Sequence, residues 1–179
     1  MDVTINEKER LEALYEMEIL DTPADGSFNK LTKLAAKIFN VPIVIISLVD
    51  SDRIWFKSHF GLETQQIGKD LGLCASAILS DDVYLVEDAR NDLRCLSNPL
   101  VAGDFGLQFY AAAPLKTKEG YNLGTFCVLD KRQRYINSDQ QEMLKQMASI
   151  VIDEMELRIQ SRKVIRKYKT RIEELENNL

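Results

Sequence analysis

Hydrophobic positions recur first at helical spacing, then at strand spacing, and finally at helical spacing again as the chain runs from its N-terminus. Leu11, Leu14 and Tyr15 mark a short first helix, capped by Asn6 with Glu9 and ending before the turn Asp21-Thr22-Pro23. Phe28, Leu31, Leu34, Ala35 and Ile38 predict a second helix from near Ser27, stopped by Asn40 and Pro42. The period then shortens. Residues 43–49 form a nearly unbroken β-branched run, which suits a strand buried on both faces, and Ser51-Asp52 turns the chain into a second strand over 54–60. Residues 61–72 read as a loop, 73–79 as a short helix with small residues on one side, and 83–86 as a strand. An irregular stretch over 87–106 follows, in which Asn98-Pro99 offers an N-cap and a first-turn proline. Two more strands, 109–115 and 123–130, are joined through Lys118-Glu119-Gly120.

The last 42 residues, from Ser138, contain neither Gly nor Pro and read as one helix too long for the domain before it. Ser138 with Gln141 has the spacing of a capping box. Leu144, Met147, Val151 and Met155 form an apolar stripe able to pack on a domain surface, and Arg158, Gln160, Ser161, Arg162 and Lys163 interrupt it. The stripe resumes at Ile165, Tyr168, Ile172, Leu175 and Leu179 in 3-4-3-4 spacing, the seam of a two-stranded coiled coil. All nine positions are candidates for a helix-mediated homodimer interface, the proximal four also for packing on their own domain. An amphipathic helix lying wholly on its own domain is the alternative.

Strands arriving in hairpins with helices at both ends indicate an α+β architecture, an antiparallel sheet of about five or six strands with helices on one face. Residues 1–157 make the domain and 158–179 a helical extension, a coiled-coil candidate. Composition adds exclusions. The net charge of −5 comes from 23 basic and 28 acidic residues that are interspersed, so neither a nucleic-acid nor a membrane-surface partner is expected. No stretch approaches 18 apolar residues and the N-terminus lacks a signal-peptide pattern, so the expected compartment is the cytoplasm. Cys74, Cys95 and Cys127 lack CxxC spacing, and His59 is the sole histidine, so no metal site is expected. Phosphate-cradle, dinucleotide, nucleophile-elbow and zincin motifs are absent, and an enzyme is not the expected reading.

Five separated stretches carry a family resemblance: ILDTPADGSFNKLTKLAAKIF, VPIVIISLVDSDRIWFKSHFGL, LCASAI, VEDARNDLRCLSNPLVAG and LQFYAAAPLKTKEGYNLGTFCVLD. Together, over about residues 11–157, they resemble the GAF domain family, and most nearly the N-terminal sensory GAF domains of bacterial histidine kinases, diguanylate cyclases and cyclic-di-nucleotide phosphodiesterases. The resemblance implies a sheet with helices on one side and a roofed small-molecule pocket on the other. It also implies a role in signal transduction, in which the C-terminal helix passes a signal to an output domain or partner. Carried over by position, the ligand-binding candidates are Phe56 and Ser58, Cys74 and Ser76, Asp88 and Arg94, Tyr110 and Ala112, and Thr125 and Cys127.

Leu123, Thr125, Cys127 and Leu129 are expected on one strand face, beside room left by Ala111-Ala112-Ala113. Thr125 and Cys127 either face a ligand or pack beneath a filled roof, and Arg94 either clamps an anion or pairs with Asp88 or Asp92. Ser76, Cys95 and Gln133 stand where close relatives carry His, an aromatic residue and Pro. The chain does not assemble the cyclic-nucleotide-binding pattern, and the Cys-His pair that anchors a bilin is absent, so the resemblance names no ligand or cofactor. Two alternatives remain: an enzyme like the free methionine-(R)-sulfoxide reductases, with Cys95 near their nucleophile position, and a ligand-free structural dimerisation module.

Overall fold

A computed structural model describes residues 3–176. Six strands form one fully antiparallel sheet in the order β3-β2-β1-β6-β5-β4. The elements are α1 (Val3–Glu16), α2 (Gly26–Ile38), β1 (Ile43–Val49), β2 (Arg53–Phe60), β3 (Gln66–Gly68), α3 (Cys74–Ala77), β4 (Tyr84–Val86), α4 (Pro99–Ala102), β5 (Phe109–Lys116), β6 (Asn122–Asp130) and α5 (Ser138–Glu176). Helices α1, α2 and the first half of α5 cover one face of the sheet, while loops and the one-turn helices α3 and α4 roof the other. The expected α+β architecture is thus the observed one, and β1 is buried along its whole length because it is central and covered on both sides.

Local chemistry explains the helix starts, and it moves two of them. Val3 already lies in α1, so Asn6 and Glu9 are interior residues, and the Glu9 carboxylate instead accepts from the Tyr121 hydroxyl at 3.1 Å. The capping box of α5 is Asn137 with Gln140: the Gln140 amide donates to Asn137 Oδ1 at 2.9 Å and the Asn137 amide to Gln140 Oε1 at 3.0 Å. Both pairs have capping-box spacing, and the geometry selects the earlier. Helix α2 is capped by Asp25, whose extended backbone lets its side chain accept from the Ser27 amide. It buries Phe28, Thr32, Ala35 and Ala36 but leaves Leu34 and Ile38 exposed. Residues 61–72, expected as loop, contain β3 and a 3-10 turn at Lys69–Leu71.

Two register shifts reassign side chains between the faces. In β2 the shift against β1 falls between the pairs Ile46–Ser58 and Ser47–Phe56, leaving Lys57 as the extra residue. Phe56 keeps the roof face, whereas Lys57 and Ser58 both turn toward the helices. Lys57 Nζ donates to Thr22 Oγ1 and the Pro23 carbonyl, both at 2.8 Å, and Ser58 Oγ donates to Asn29 Oδ1 at 2.7 Å. A second irregularity, between β5 and β6, leaves two residues of β6 opposite Leu115. Leu123 consequently joins Phe126 and Val128 on the helix side rather than Thr125, Cys127 and Leu129 on the roof side.

Helix α5 divides in two. Leu144, Met147, Val151 and Met155 are buried in the core of their own domain, which withdraws them from the dimer-interface candidates. The helix stays anchored as far as Ile159, also buried, and residues 160–176 are exposed throughout. The interrupting basic residues clamp the helix rather than merely solvating it. Arg158 pairs with Asp25 and Glu154, Arg162 donates to the Glu18 carbonyl at 3.0 Å, and Arg166 makes a two-pronged pair with the Glu18 carboxylate at 2.7 Å. Ile165, Tyr168, Ile172 and Leu175 are exposed; Leu179 lies outside the described residues.

Candidate functional site

The roof face carries a partly open apolar cavity of about 120 Å³. Its floor is Ile45 of β1, Phe56 of β2, Tyr110 of β5 and Leu129 of β6. Its roof comes from the segment 62–74, through Leu62, Ile67, Leu73 and Cys74, and from Leu100, Phe105 and Leu107 around α4. Asn98 ties these two roof segments together: its side-chain Oδ1 caps α4 by accepting from the Leu100 amide at 2.8 Å, and its Nδ2 donates to the Leu71 carbonyl at 3.0 Å. A cavity of this size accepts small guests, and it is well below the few hundred Å³ that a drug-sized ligand occupies.

One polar cluster is buried in the cavity wall. The Tyr110 hydroxyl donates to Cys74 Sγ at 3.1 Å. Cys127 belongs to the same buried cluster as Cys74 and directs its thiol toward the Ile45 carbonyl at 3.6 Å. Ser47 and Thr125 share a hydrogen bond of 2.9 Å, and both hydroxyls also face Cys74. Hydrogen bonds from Cys127, Ser47, Tyr110 and Thr125 hold the Cys74 thiol below its ordinary range despite complete burial. Burial, together with the neighbouring Cys74, pushes the Cys127 thiol well up, and burial does the same to the Tyr110 phenol.

Of the ten ligand-binding candidates, Phe56, Cys74 and Tyr110 line the cavity, while Ala112, Thr125 and Cys127 lie in the sheet face beside them, with Ala112 and Cys127 as a cross-strand pair. Four lie elsewhere. The shift at Lys57 puts Ser58 against α2, Ser76 is exposed, and Asp88 accepts from the Asn91 side chain at 2.7 Å outside the cavity. Arg94 is committed to the roof: it pairs with Asp92, donates to the Leu85 carbonyl at 2.6 Å and stacks 4.8 Å from the Tyr84 ring centre. Sequence reasoning missed the apolar lining. It also missed Ser47, although a lone hydroxyl inside a run buried on both faces requires a partner and so signals a polar cluster. Cys95 is buried apart from the cavity wall, facing the Ala89 and Asp92 carbonyls, and burial raises its thiol. Among the described residues no cluster of three His, Cys, Asp or Glu side chains is placed to hold a metal ion, and no helix is long and apolar enough to cross a membrane.

Comparison with known proteins agrees with this geometry. The sequence profile of the GAF domain family matches residues 23–152. A cyclic di-GMP phosphodiesterase of Pseudomonas aeruginosa, PA2567, is 39% identical over 129 residues, which cover 72% of this chain and 22% of that protein's length. The GAF domain of an Acinetobacter phosphoenolpyruvate-protein phosphotransferase superimposes with a TM-score of 0.62 at 15% identity, over 87% of this chain and 94% of that one. Free methionine-R-sulfoxide reductase of Neisseria meningitidis, solved with its substrate, gives 0.62 at 17% identity, over 90% and 95%. At such identities the two structures speak for the fold alone. A profile match over that span, on a sheet with helices on one face and a roofed cavity on the other, makes this chain a member of the GAF domain family.

Proposed function

We propose that this chain is a cytoplasmic sensory and regulatory GAF module of a bacterial signalling protein, which binds a small, largely apolar molecule under its roof, dimerises through its helices and passes the signal along α5. The observation that carries this reading is the division of α5 into a buried half against the sheet and an exposed half with an apolar seam. Its occupant, on this reading, is the same helix of a second copy. The seam also extends back over the domain: Met143, Ile150, Leu157 and Val164 are partly or fully exposed, spaced by sevens, and the stripe continues through Tyr168, Ile172 and Leu175. From Met143 to Leu175 that is about 48 Å of helix at 1.5 Å per residue. Leu34 of α2 widens the stripe where α2 and α5 flank an apolar groove. This is long enough for a stable pairing, which two distal heptads alone are not.

Two measurements test the reading. Light scattering should show a dimer that becomes monomeric with Ile172→Asp and Leu175→Asp together; an unchanged dimer removes the seam. Native mass spectrometry of protein purified from its own cells should show a retained small molecule, and an empty dimer would leave only a structural dimerisation module. An output domain is the expected partner, as PA2567, of which this chain spans 22%, is a far longer protein. Burial raises the Cys95 thiol, opposite to what a nucleophile needs, so no reaction is assigned to it. Loss of methionine-sulfoxide turnover on Cys95→Ser would overturn that assignment.

A further inference from the structure

We propose that Cys74 and Cys127 form an oxidisable dithiol that takes a peroxide from the cavity and closes to a disulfide between roof and sheet; this rests on reading the roofed cavity as the sensory site. Cys74 begins α3 in the roof and lines the cavity, while Cys127 sits mid-strand in β6, paired across the sheet with Ala112 of β5 and in the same buried cluster as Cys74. Both are reduced and buried. A peroxide is little larger than water, which takes about 30 Å³ in the liquid, so it fits the cavity of about 120 Å³ in contact with Cys74.

The surrounding donors prepare Cys74 and spare the third cysteine. Tyr110 donates to Cys74 Sγ, and the Ser47 and Thr125 hydroxyls face the same sulfur, so its thiolate is stabilised in an otherwise apolar wall. Cys95 Sγ instead faces two backbone carbonyls at 3.5 and 3.6 Å, which favour its neutral thiol, and it does not line the cavity.

The chemistry balances with hydrogen peroxide as the oxidant. The Cys74 thiolate attacks one peroxide oxygen; an S–O bond forms, the O–O bond breaks and hydroxide leaves. That hydroxide takes the proton of the Cys127 thiol and becomes water. The Cys127 sulfur then attacks the sulfenic sulfur, so an S–S bond forms and the S–O bond breaks. The departing hydroxide takes up the proton first released by Cys74. Two thiols are oxidised to one disulfide, and one peroxide is reduced to two waters. The product fastens α3 to β6 and fixes one arrangement of the roof.

The test treats the reduced protein with hydrogen peroxide, denatures it under a thiol-blocking maleimide and maps the peptides. Three free cysteines should fall to one, Cys95, with a linked peptide joining Cys74 to Cys127, reversed by dithiothreitol. In Cys127→Ser, dimedone should trap Cys74 as its sulfenic acid. The wild-type peptide map decides the matter if that variant fails to fold. Three free thiols after exposure that fully oxidises glutathione, or a disulfide that includes Cys95, would overturn the proposal. Ligand retention and dimerisation are measured on the reduced protein, so a failed oxidation leaves the sensory reading standing, and an empty monomer defeats that reading separately.

Discussion

Asp25 joins α2 to α5 at the point where α5 leaves the domain, so its replacement separates two energies. Its side chain caps α2 by accepting from the Ser27 amide at 3.0 Å, and the same carboxylate takes two hydrogen bonds from Arg158, at 2.5 and 3.1 Å. The guanidinium lies 4.7 Å from the Phe28 ring centre. Arg158 pulls the Asp25 carboxyl from its ordinary 3.8 down to about 2. At about 1.4 kcal/mol per pKa unit that drop is worth at most roughly 2.5 kcal/mol, and screening at a side chain 26% exposed leaves about 1 kcal/mol. The cap contributes about 1 kcal/mol more. Asp25→Ala should therefore cost about 2 kcal/mol in urea unfolding at neutral pH, and Asp25→Asn, which keeps the cap, about 1 kcal/mol. In melting temperature these are about 6 and 3 °C. The folded pKa lies below the unfolded one, so the ion-pair contribution is complete above about pH 4 and lost as the pH falls toward 2. The wild-type minus Asp25→Asn difference should vanish over that window. Equal losses for the Ala and Asn variants, or a difference that does not change with pH, would refute the assignment.

Gly124→Ala should prevent folding, because a Cβ there would stand 1.9 Å from the Ser47 carbonyl oxygen and 2.8 Å from Leu48 Cα, where β6 meets β1; soluble protein with native circular dichroism would contradict the β1–β6 register. Tyr110→Phe removes the hydroxyl that donates to Cys74 and should cost about 1 kcal/mol. It should also raise the pH at which thiolate absorbance appears, and an unshifted titration would show that the hydroxyl does not stabilise that sulfur. Arg166→Ala breaks an exposed pair with Glu18 and should change global stability by less than about 1 kcal/mol, while hydrogen exchange beyond residue 160 accelerates. Unchanged exchange would remove Glu18 from the clamp.

Strands β1, β2, β5 and β6 are legible in the sequence because β-branched and alternating runs carry their own period, and the architecture follows from their order. What stays hidden depends on partners. The extra residues at Lys57 and beside Gly124 exist only relative to the neighbouring strand, and a one-residue slip moves every later side chain to the other face. That is why strand alternation alone puts Ser58 and Leu123 on the roof side, wrongly, and Leu129 there correctly. Strand β3 is three residues long, too short for a period. The arginines of α5 read as a break in an apolar stripe, since the acceptors by which they clamp the helix to the domain, Asp25 and Glu18, lie more than 130 residues away in sequence. In the cavity, the aromatic and thiol residues are recoverable by position, but the aliphatic lining is not, because Leu100 and Leu107 resemble any other core residue until the roof is folded over them.

A single sheet layer separates the cavity from α5, and this sets what a bound molecule can do. Along β5 the side chains alternate between Tyr110, which faces the cavity, and Phe109 and Ala111, which share a core with α5; along β6 Cys127 faces the roof, and Phe126 and Val128 face the helix. A shift of either strand is therefore felt at Leu144, Val151 and Met155 without passing through a loop. The helix is held where it leaves, by Arg158 on Asp25, and beyond Ile159 only Arg162 and Arg166 hold it to Glu18 among the described contacts. Residues 160–176 then carry any change in crossing angle about 25 Å outward at 1.5 Å per residue. A ligand moves that equilibrium only by the difference in its affinity for the two roof arrangements, and a tenfold bias needs about 1.4 kcal/mol. One hydrogen bond of the kind Tyr110 makes to Cys74 is of that order. On the proposed sensory reading, a guest that competes for the Tyr110 hydroxyl would therefore supply free energy of the order needed to bias the helix, whereas one that only fills the apolar volume would have to do so through packing.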